Sequence, residues 1–190
     1  MKKEKLDADF FRDRKILKIL SGGSERESVV LVGSILDEML RRLLEKSLLN
    51  TAGGVLADAF ESSNGPFSSF SNKITVCYLT GLISKKMYDD LNLIRKIRNT
   101  FAHNIFQCSF EMDEIKNQVS RLYFITHSLF EEWIETASIK DKFVLDSVII
   151  IVALVKKIVR KDSFGECIDE IDDLGFEEID WEYLNSEIEK

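Results

Sequence analysis

Apolar residues recur along most of this chain at spacings of three and four, the period of a helix that buries one side. The pattern is regular from Val29 to Leu44 and returns over residues 113–136 and 141–161. β-branched residues crowd residues 148–152, so a strand is the alternative there, although period and length favour a buried helix. The pattern predicts an all-α protein, built as a single helical-bundle domain.

Turn and capping residues divide the chain into its predicted helices. A Gly-Gly pair at residues 22–23 follows a first helix over residues 6–20. Ser24 and Glu27 then match a capping box, which begins a helix that runs to about Leu49. The remaining helices are predicted over residues 55–60, 71–82, 85–103, 113–136 and 141–161.

Residues 10–45 are the part of the chain that most resembles a DNA-binding helix-turn-helix. Residues 10–45 offer helix, glycines and helix, but the second helix begins with a single base, Arg26, among acids. Direct reading of a DNA groove by a helix-turn-helix is therefore not expected. Residues four apart on this helix predict two ion pairs, Asp37 with Arg41 and Glu38 with Arg42.

The helix over residues 85–103 ends in an unusual polar group. Its apolar arc is formed by Leu93, Ile94, Ile97 and Phe101. Arginine, asparagine and histidine on the opposite side are suited to directed hydrogen bonds, unlike the Lys and Glu of an ordinary solvated face. We therefore predict a ligand- or partner-binding site; its residues are Arg95, Arg98, Asn99 and His103. The alternative is that these residues cap the helix and tie it to a neighbour.

Charge is unevenly distributed along the chain. The total is -7, while residues 162–190 alone carry -11, so the rest of the chain carries +4. An acidic total argues against a broad nucleic-acid-binding surface but leaves room for a local basic site. We predict a helical-bundle domain over residues 1–161 and an acidic, helical C-terminal extension over residues 162–190. One proline and nine glycines disfavour a turn-rich β architecture.

The motifs and composition of the chain disfavour metal sites, nucleotide-cofactor sites, secretion and membrane spans. The three cysteines lie far apart without a C-x-x-C pair, and no His/Cys cluster or glycine-rich nucleotide motif occurs, so no metal and no cofactor are expected. The charged start does not resemble a signal peptide, and the apolar run over residues 148–155 is too short to span a membrane. We expect a cytoplasmic protein.

Arg98 and His103 are the one pair with plausible reaction chemistry. The histidine can transfer a proton near neutral pH, and the arginine can stabilise charge on a phosphate, which suffices for RNA cleavage without a metal. The two are five positions apart, about 140° around a helix, so they meet only if the arginine bends or the helix ends early. The same pair can instead bind an anionic ligand or a partner's carboxylate.

The chain resembles the mannitol operon repressor (MltR/MtlR-like) family over about residues 24–135. The resemblance is carried by Phe67-x-x-Phe70-Ser71-x-Lys73-Ile74, by Tyr78-Leu79-x-Gly81-Leu82-Ile83, by Tyr88-x-x-Leu91-x-x-Ile94-Arg95-x-Ile97-Arg98-Asn99 and by Ala102-His103. It implies an all-α regulator that represses transcription of sugar-uptake genes, without an obvious DNA-binding element and through a protein partner.

The segment from Arg98 to His103 also resembles the R-x4-H signature of the HEPN superfamily. That resemblance implies a helical domain that dimerises, and in some members a metal-independent ribonuclease with these two residues as the catalytic pair. Three hypotheses follow: a non-enzymatic regulator that forms a homodimer and binds a protein partner, a ribonuclease or RNA-binding toxin, or a purely structural Arg-Asn-His cap.

Overall fold

The computed structural model describes residues 19–20, 22–48, 54–104, 108–126 and 135–160, and all regular structure within them is helical. The prediction of an all-α helical bundle is confirmed. The helices are α1 (Glu25–Ser47), α2 (Val55–Glu61), α3 (Phe70–Leu79), α4 (Lys85–His103), α5 (Asp113–Val119), α6 (Tyr123–Thr126) and α7 (Ile139–Arg160). The first predicted helix, apart from Ile19 and Leu20, and the acidic extension over residues 162–190 lie outside the described residues.

Helices α1 and α4 form the centre of the bundle. Helix α1 packs against α3, α4 and α7, and α4 contacts α1, α3, α5 and α6. The apolar positions predicted from their period are buried in both, from Val29 to Leu44 in α1 and from Leu93 to Phe101 in α4. Burial of these side chains is the main favourable term in holding the two helices together.

Capping signals in the sequence set the helix starts. The Ser24 hydroxyl accepts a hydrogen bond from the Glu27 N–H, and the Glu27 carboxylate accepts one from the Ser24 N–H at 2.8 Å. Ser84 caps α4 in the same manner, since its hydroxyl accepts from the Met87 N–H. Gly81, after α3, has a φ of 73°, which glycine adopts without strain. Each of these boundaries matches its prediction.

The predicted helix over residues 113–136 is interrupted, which corrects the sequence interpretation. Helix α5 ends at Val119, and a separate short helix α6 begins at Tyr123. The cause lies in another element: the Asp90 carboxylate of α4 accepts hydrogen bonds from the N–H groups of Tyr123, at 2.8 Å, and Phe124, at 3.4 Å. These donors would otherwise bond to the preceding turn, so the carboxylate begins a new helix there.

One of the two predicted ion pairs on α1 is also corrected. Glu38 pairs with Arg42 at 2.9 Å, as expected. Asp37 pairs instead with Lys73 of α3, at 2.9 Å, and Lys73 is almost fully buried. Arg41 turns away to Glu45 and Glu61. A buried ammonium needs a carboxylate close by, and this tertiary demand outweighs the local i,i+4 preference.

Aromatic side chains connect the end of α4 to α7. The Phe101 and Phe110 ring centroids are 5.2 Å apart, and those of Phe110 and Phe143 are 5.4 Å apart. All three rings are buried. Within the described helices, none combines the length and apolarity that crossing a membrane requires.

Candidate functional site

The predicted site residues lie on the last three turns of α4, on the side away from its buried arc. Arg95, Arg98 and Asn99 are half-buried, and His103, the last residue of the helix, is exposed. The side that the period assigned to the core is buried, with Ile94, Ile97 and Phe101 inaccessible to solvent. The polar group is therefore presented at the surface by a helix whose other side is fixed in the core.

Arg26 of α1 holds the end of this helix. Its guanidinium donates one hydrogen bond to the Phe101 carbonyl and another, at 2.6 Å, to the Asn104 carbonyl. Carbonyls at a helix C-terminus have no partner within the helix, and a cation there also meets the negative end of the helix dipole. The sequence identified Arg26 as a lone base at the start of α1. Its partner, the Phe101 carbonyl, lies 75 residues later in the chain, so the spacing of nearby residues could not predict the contact.

Arg98 crosses closely over Gly33 of α1. A β-carbon built at Gly33 would lie 2.9 Å from the Arg98 Cγ, so only glycine fits between the arginine stem and the α1 backbone. The Arg98 Nη1 donates to the side-chain Oδ1 of Asn99 at 3.3 Å. The structure therefore brings Arg98 and Asn99 together, beside the middle of α1.

A cavity of about 290 Å³ opens beside Arg98. Its walls come from α1, from the first residue of α3 and from α4; they are Gly33, Ser34, Asp37, Glu38, Phe70 and Arg98. Two carboxylates and one guanidinium thus share a small space. Sequence spacing placed Asp37 and Glu38 on the polar side of α1, but the meeting of α1 with Arg98 depends on tertiary packing.

The remaining predicted residues are near but not joined to this pair. The Arg95 guanidinium bonds to the Asn92 side-chain oxygen, at 3.3 Å from Nη2. In the described part of the chain, no hydrogen bond connects Arg98 to His103. The close Arg98–His103 pair that the ribonuclease hypothesis requires is therefore not formed in this arrangement.

Two buried carboxyls escaped the sequence interpretation. Burial raises the pKa of Asp90 to about 7. Hydrogen bonds from the N–H groups of Tyr123 and Phe124 lower this pKa, but their effect is smaller than that of burial. Asp146 of α7 is completely buried, and burial together with the nearby Asp90 charge raises its pKa well above the usual value for aspartate. A signal existed: the α7 period puts Asp146 on the same side as Phe143 and Ile150. These carboxyls position α6 beneath α4 and lie apart from the Arg95–His103 surface.

Metal chemistry has no support in the residues described. Among them, no group of three or more His, Cys, Asp or Glu side chains is arranged to hold a metal ion. Cys77 is buried, and burial raises the pKa of its thiol to about 12, which makes it a poor metal ligand or nucleophile at neutral pH.

Comparisons with known proteins give one family and one fold. The family model described as "MtlR: Mannitol repressor" matches residues 15–162, which include all seven helices. A chain in the X-ray structure of the MtlR–HPr complex from Escherichia coli has a similar fold, with a TM-score of 0.59. The similarity covers 77% of this chain and 99% of that one, at 20% sequence identity. No curated protein matches the chain.

Proposed function

The chain belongs to the mannitol repressor (MtlR) family, and on that basis we propose that it is a non-enzymatic repressor of transcription that acts through a protein partner. It is not expected to read DNA by a helix-turn-helix. Arg26, the base at the start of α1, bonds to the end of α4, so it does not extend outward toward a DNA groove. The HPr named with the E. coli neighbour suggests the partner: the HPr protein of the same host.

The observation that carries the proposal is a set of basic side chains without counter-charges. Among the described residues, Arg95, Arg98 and His103 make no ion pair. Five other bases are paired with carboxylates within the fold; they are Arg41, Arg42, Lys73, Lys85 and Lys116. Unpaired arginines at a surface, with an amide beside them, suit a partner that presents carboxylate or phosphate groups.

The partner proposal is tested by calorimetric titration of the full chain with the host's HPr. We expect Arg95→Glu and His103→Ala to raise Kd at least tenfold, because the first reverses a charge and the second removes a hydrogen-bonding ring at the proposed partner surface. Lys85→Gln is the matched control: along the helix axis it lies about 15 Å from Arg95 and about 27 Å from His103, and it already pairs with Asp89. Equal affinity of the Arg95 variant and the control would contradict the proposed surface.

The second test concerns DNA. In a mobility-shift assay with operator DNA, we expect the purified chain to give no sequence-specific shift, and an extract of the host's cells to restore one. A specific shift by the purified chain alone would show that no partner is needed.

We also propose that the protein works in the cytoplasm as a homodimer. The dimer is implied by the R-x4-H resemblance, which places this helix end at an interface. Sedimentation equilibrium on the full chain should give about twice the monomer mass of 21.9 kDa. A monomer at micromolar concentration would exclude the dimer without touching the family assignment.

A further inference from the structure

We propose that the cavity between α1, α3 and α4 binds a small anion that carries hydroxyl groups, of the sugar-phosphate or sugar-acid class. The cavity shares Arg98 with the proposed partner surface, but its other walls belong to α1 and α3, so ligand binding is measured here without any partner protein. Its volume of about 290 Å³ is near the lower end for small-molecule sites, which are roughly 300–1,000 Å³. A small metabolite fits this space better than a peptide.

The charge of the ligand follows from the charges at the walls. Asp37 is matched by Lys73 and Glu38 by Arg42, each at 2.9 Å. Asp37 and Glu38 line the same cavity as Arg98, but among the described residues Arg98 forms no ion pair with a carboxylate. One positive charge therefore remains, and a guanidinium binds phosphate or carboxylate through two parallel hydrogen bonds.

The hydroxyl groups of the ligand follow from the acceptors that remain. Asp37 Oδ1 is buried and lies 2.9 Å from the Lys73 Nζ, whereas the Asp37 side chain as a whole is partly exposed, so its other oxygen is the acceptor open to a ligand. Glu38 uses one oxygen for Arg42, and a carboxylate has about four acceptor positions. The Ser34 hydroxyl donates to the Val30 carbonyl at 2.9 Å and keeps its lone pairs for a donor. Donors without charge suit these acceptors, since both carboxylates already have a cation.

Neither a simple anion nor a neutral sugar satisfies both sets of groups. Inorganic phosphate would occupy Arg98 but has at most two hydroxyl donors, both on the phosphorus that the arginine binds, for the acceptors of Ser34, Asp37 and Glu38. A neutral sugar would supply donors but leave the arginine charge without an anion. Phe70 adds an apolar wall against which the C–H side of a polyol can pack.

The experiment is calorimetric titration of the full-length chain, without any partner protein, using four probes. D-mannitol 1-phosphate and D-gluconate carry both features, D-mannitol carries hydroxyls alone, and inorganic phosphate carries charge alone. We expect at least one of the first two to bind at least tenfold more tightly than D-mannitol and phosphate. Which of them binds more tightly identifies the anion as phosphate or carboxylate.

Three variants locate the binding. Arg98→Gln keeps the stem that packs on Gly33 and should reduce the affinity of the charged probe to that of D-mannitol. Arg95→Gln removes a charge of the same kind three residues away, outside the cavity, and should change Kd less than twofold. Glu38→Gln removes acceptor positions and should weaken binding of D-mannitol, whereas phosphate should bind at least as tightly because Arg42 loses its carboxylate.

Three results would overturn the proposal. One is a lack of binding by any probe, and another is phosphate binding as tightly as the hydroxylated anions. The third is an equal loss in the Arg95 and Arg98 variants, which would indicate general attraction to a basic surface. Because no HPr is present in this titration, its failure would leave the proposed partner binding standing.

Discussion

Gly33 of α1 is in close contact with the side chain of Arg98. The contact predicts that Gly33→Ala destabilises the wild type but stabilises an Arg98→Ala variant. In the wild type, Gly33→Ala should destabilise the protein by about 1 kcal/mol. The new methyl group would lie 2.9 Å from the Arg98 Cγ, and overpacking of about 1–3 kcal/mol exceeds the gain of up to about 1 kcal/mol in helix propensity. Denaturant unfolding of the variant measures this.

The control is the same substitution in an Arg98→Ala background. Without the Cγ atom the steric conflict is gone, so Gly33→Ala should stabilise that protein by about 0.5–1 kcal/mol. A destabilisation of equal size in both backgrounds would show that the cost comes from α1 itself and not from its contact with Arg98.

Arg26 is expected to stabilise the protein through the end of α4. Arg26→Ala should lower the free energy of unfolding by about 1–3 kcal/mol, because two carbonyl groups lose a charged donor. Arg26→Lys should recover part of the loss, since an ammonium keeps the charge but not the planar fork. Lys85→Ala, which breaks an exposed ion pair, should change the free energy of unfolding less than Arg26→Ala does in the same urea titration.

The ribonuclease hypothesis for Arg98 and His103 stays a prediction that growth can test. If the chain cleaves RNA, its expression should slow growth, and His103→Ala should restore it. Equal growth of the wild type and the Arg98→Ala/His103→Ala variant would falsify a toxic activity. The absence of a hydrogen bond between these residues in the described structure gives that hypothesis no geometric support.

At the level of helices, local patterns predicted what local interactions determine. Local interactions set the capping box of α1, the Ser84 cap of α4, the glycine after α3 and the buried sides of α1 and α4. Each arises within a few residues of sequence, and each was predicted correctly. The break between α5 and α6 was missed because its cause, Asp90, lies 33 residues earlier. The pairing of Asp37 with Lys73 was missed for the same reason. The α1 wall of the cavity, which supplies four of its six lining residues, also depends on such distant packing.

Helix α6 is held by carboxyls whose titration should make stability fall as pH rises. Asp90 has a pKa of about 7 in the folded protein and near 3.8 when exposed, so between these values the folded state retains a proton that the unfolded state has lost. Stability is therefore highest below about pH 4 with respect to this group and declines toward pH 7, by an amount on the order of a few kcal/mol. Asp146, raised by burial and by Asp90, extends the decline to higher pH.

Asp146→Asn tests this account. The amide cannot ionise, so the decrease in unfolding free energy between pH 5 and pH 8 should be smaller than in the wild type, and the variant should be the more stable one at pH 8. Glu114→Gln, an exposed acid of α5, should leave the slope unchanged. Parallel wild-type and Asp146→Asn curves would show that these carboxyls do not titrate in this range.

At the scale of the whole molecule, Phe110 connects the site helix to the long helix α7. Phe110→Ala should reduce the free energy of unfolding by about 3–5 kcal/mol, because a buried ring between Phe101 and Phe143 leaves a cavity. Circular dichroism and the backbone amide NMR signals of α4 and α7 should still give coincident transitions if the bundle unfolds as one unit. Separate transitions would show that α4 and α7 belong to independently unfolding parts.

The bond from Arg26 to the end of α4 also sets an order of events during synthesis. Arg26 leaves the ribosome 75 residues before Phe101, a delay of roughly 4–15 s at typical elongation rates of about 5–20 residues per second. For that interval α1 exists without the helix that covers its buried side. The nascent chain therefore exposes Val29–Leu44 until α4 and later α7 emerge, which makes this segment the expected binding site for a chaperone at the ribosome.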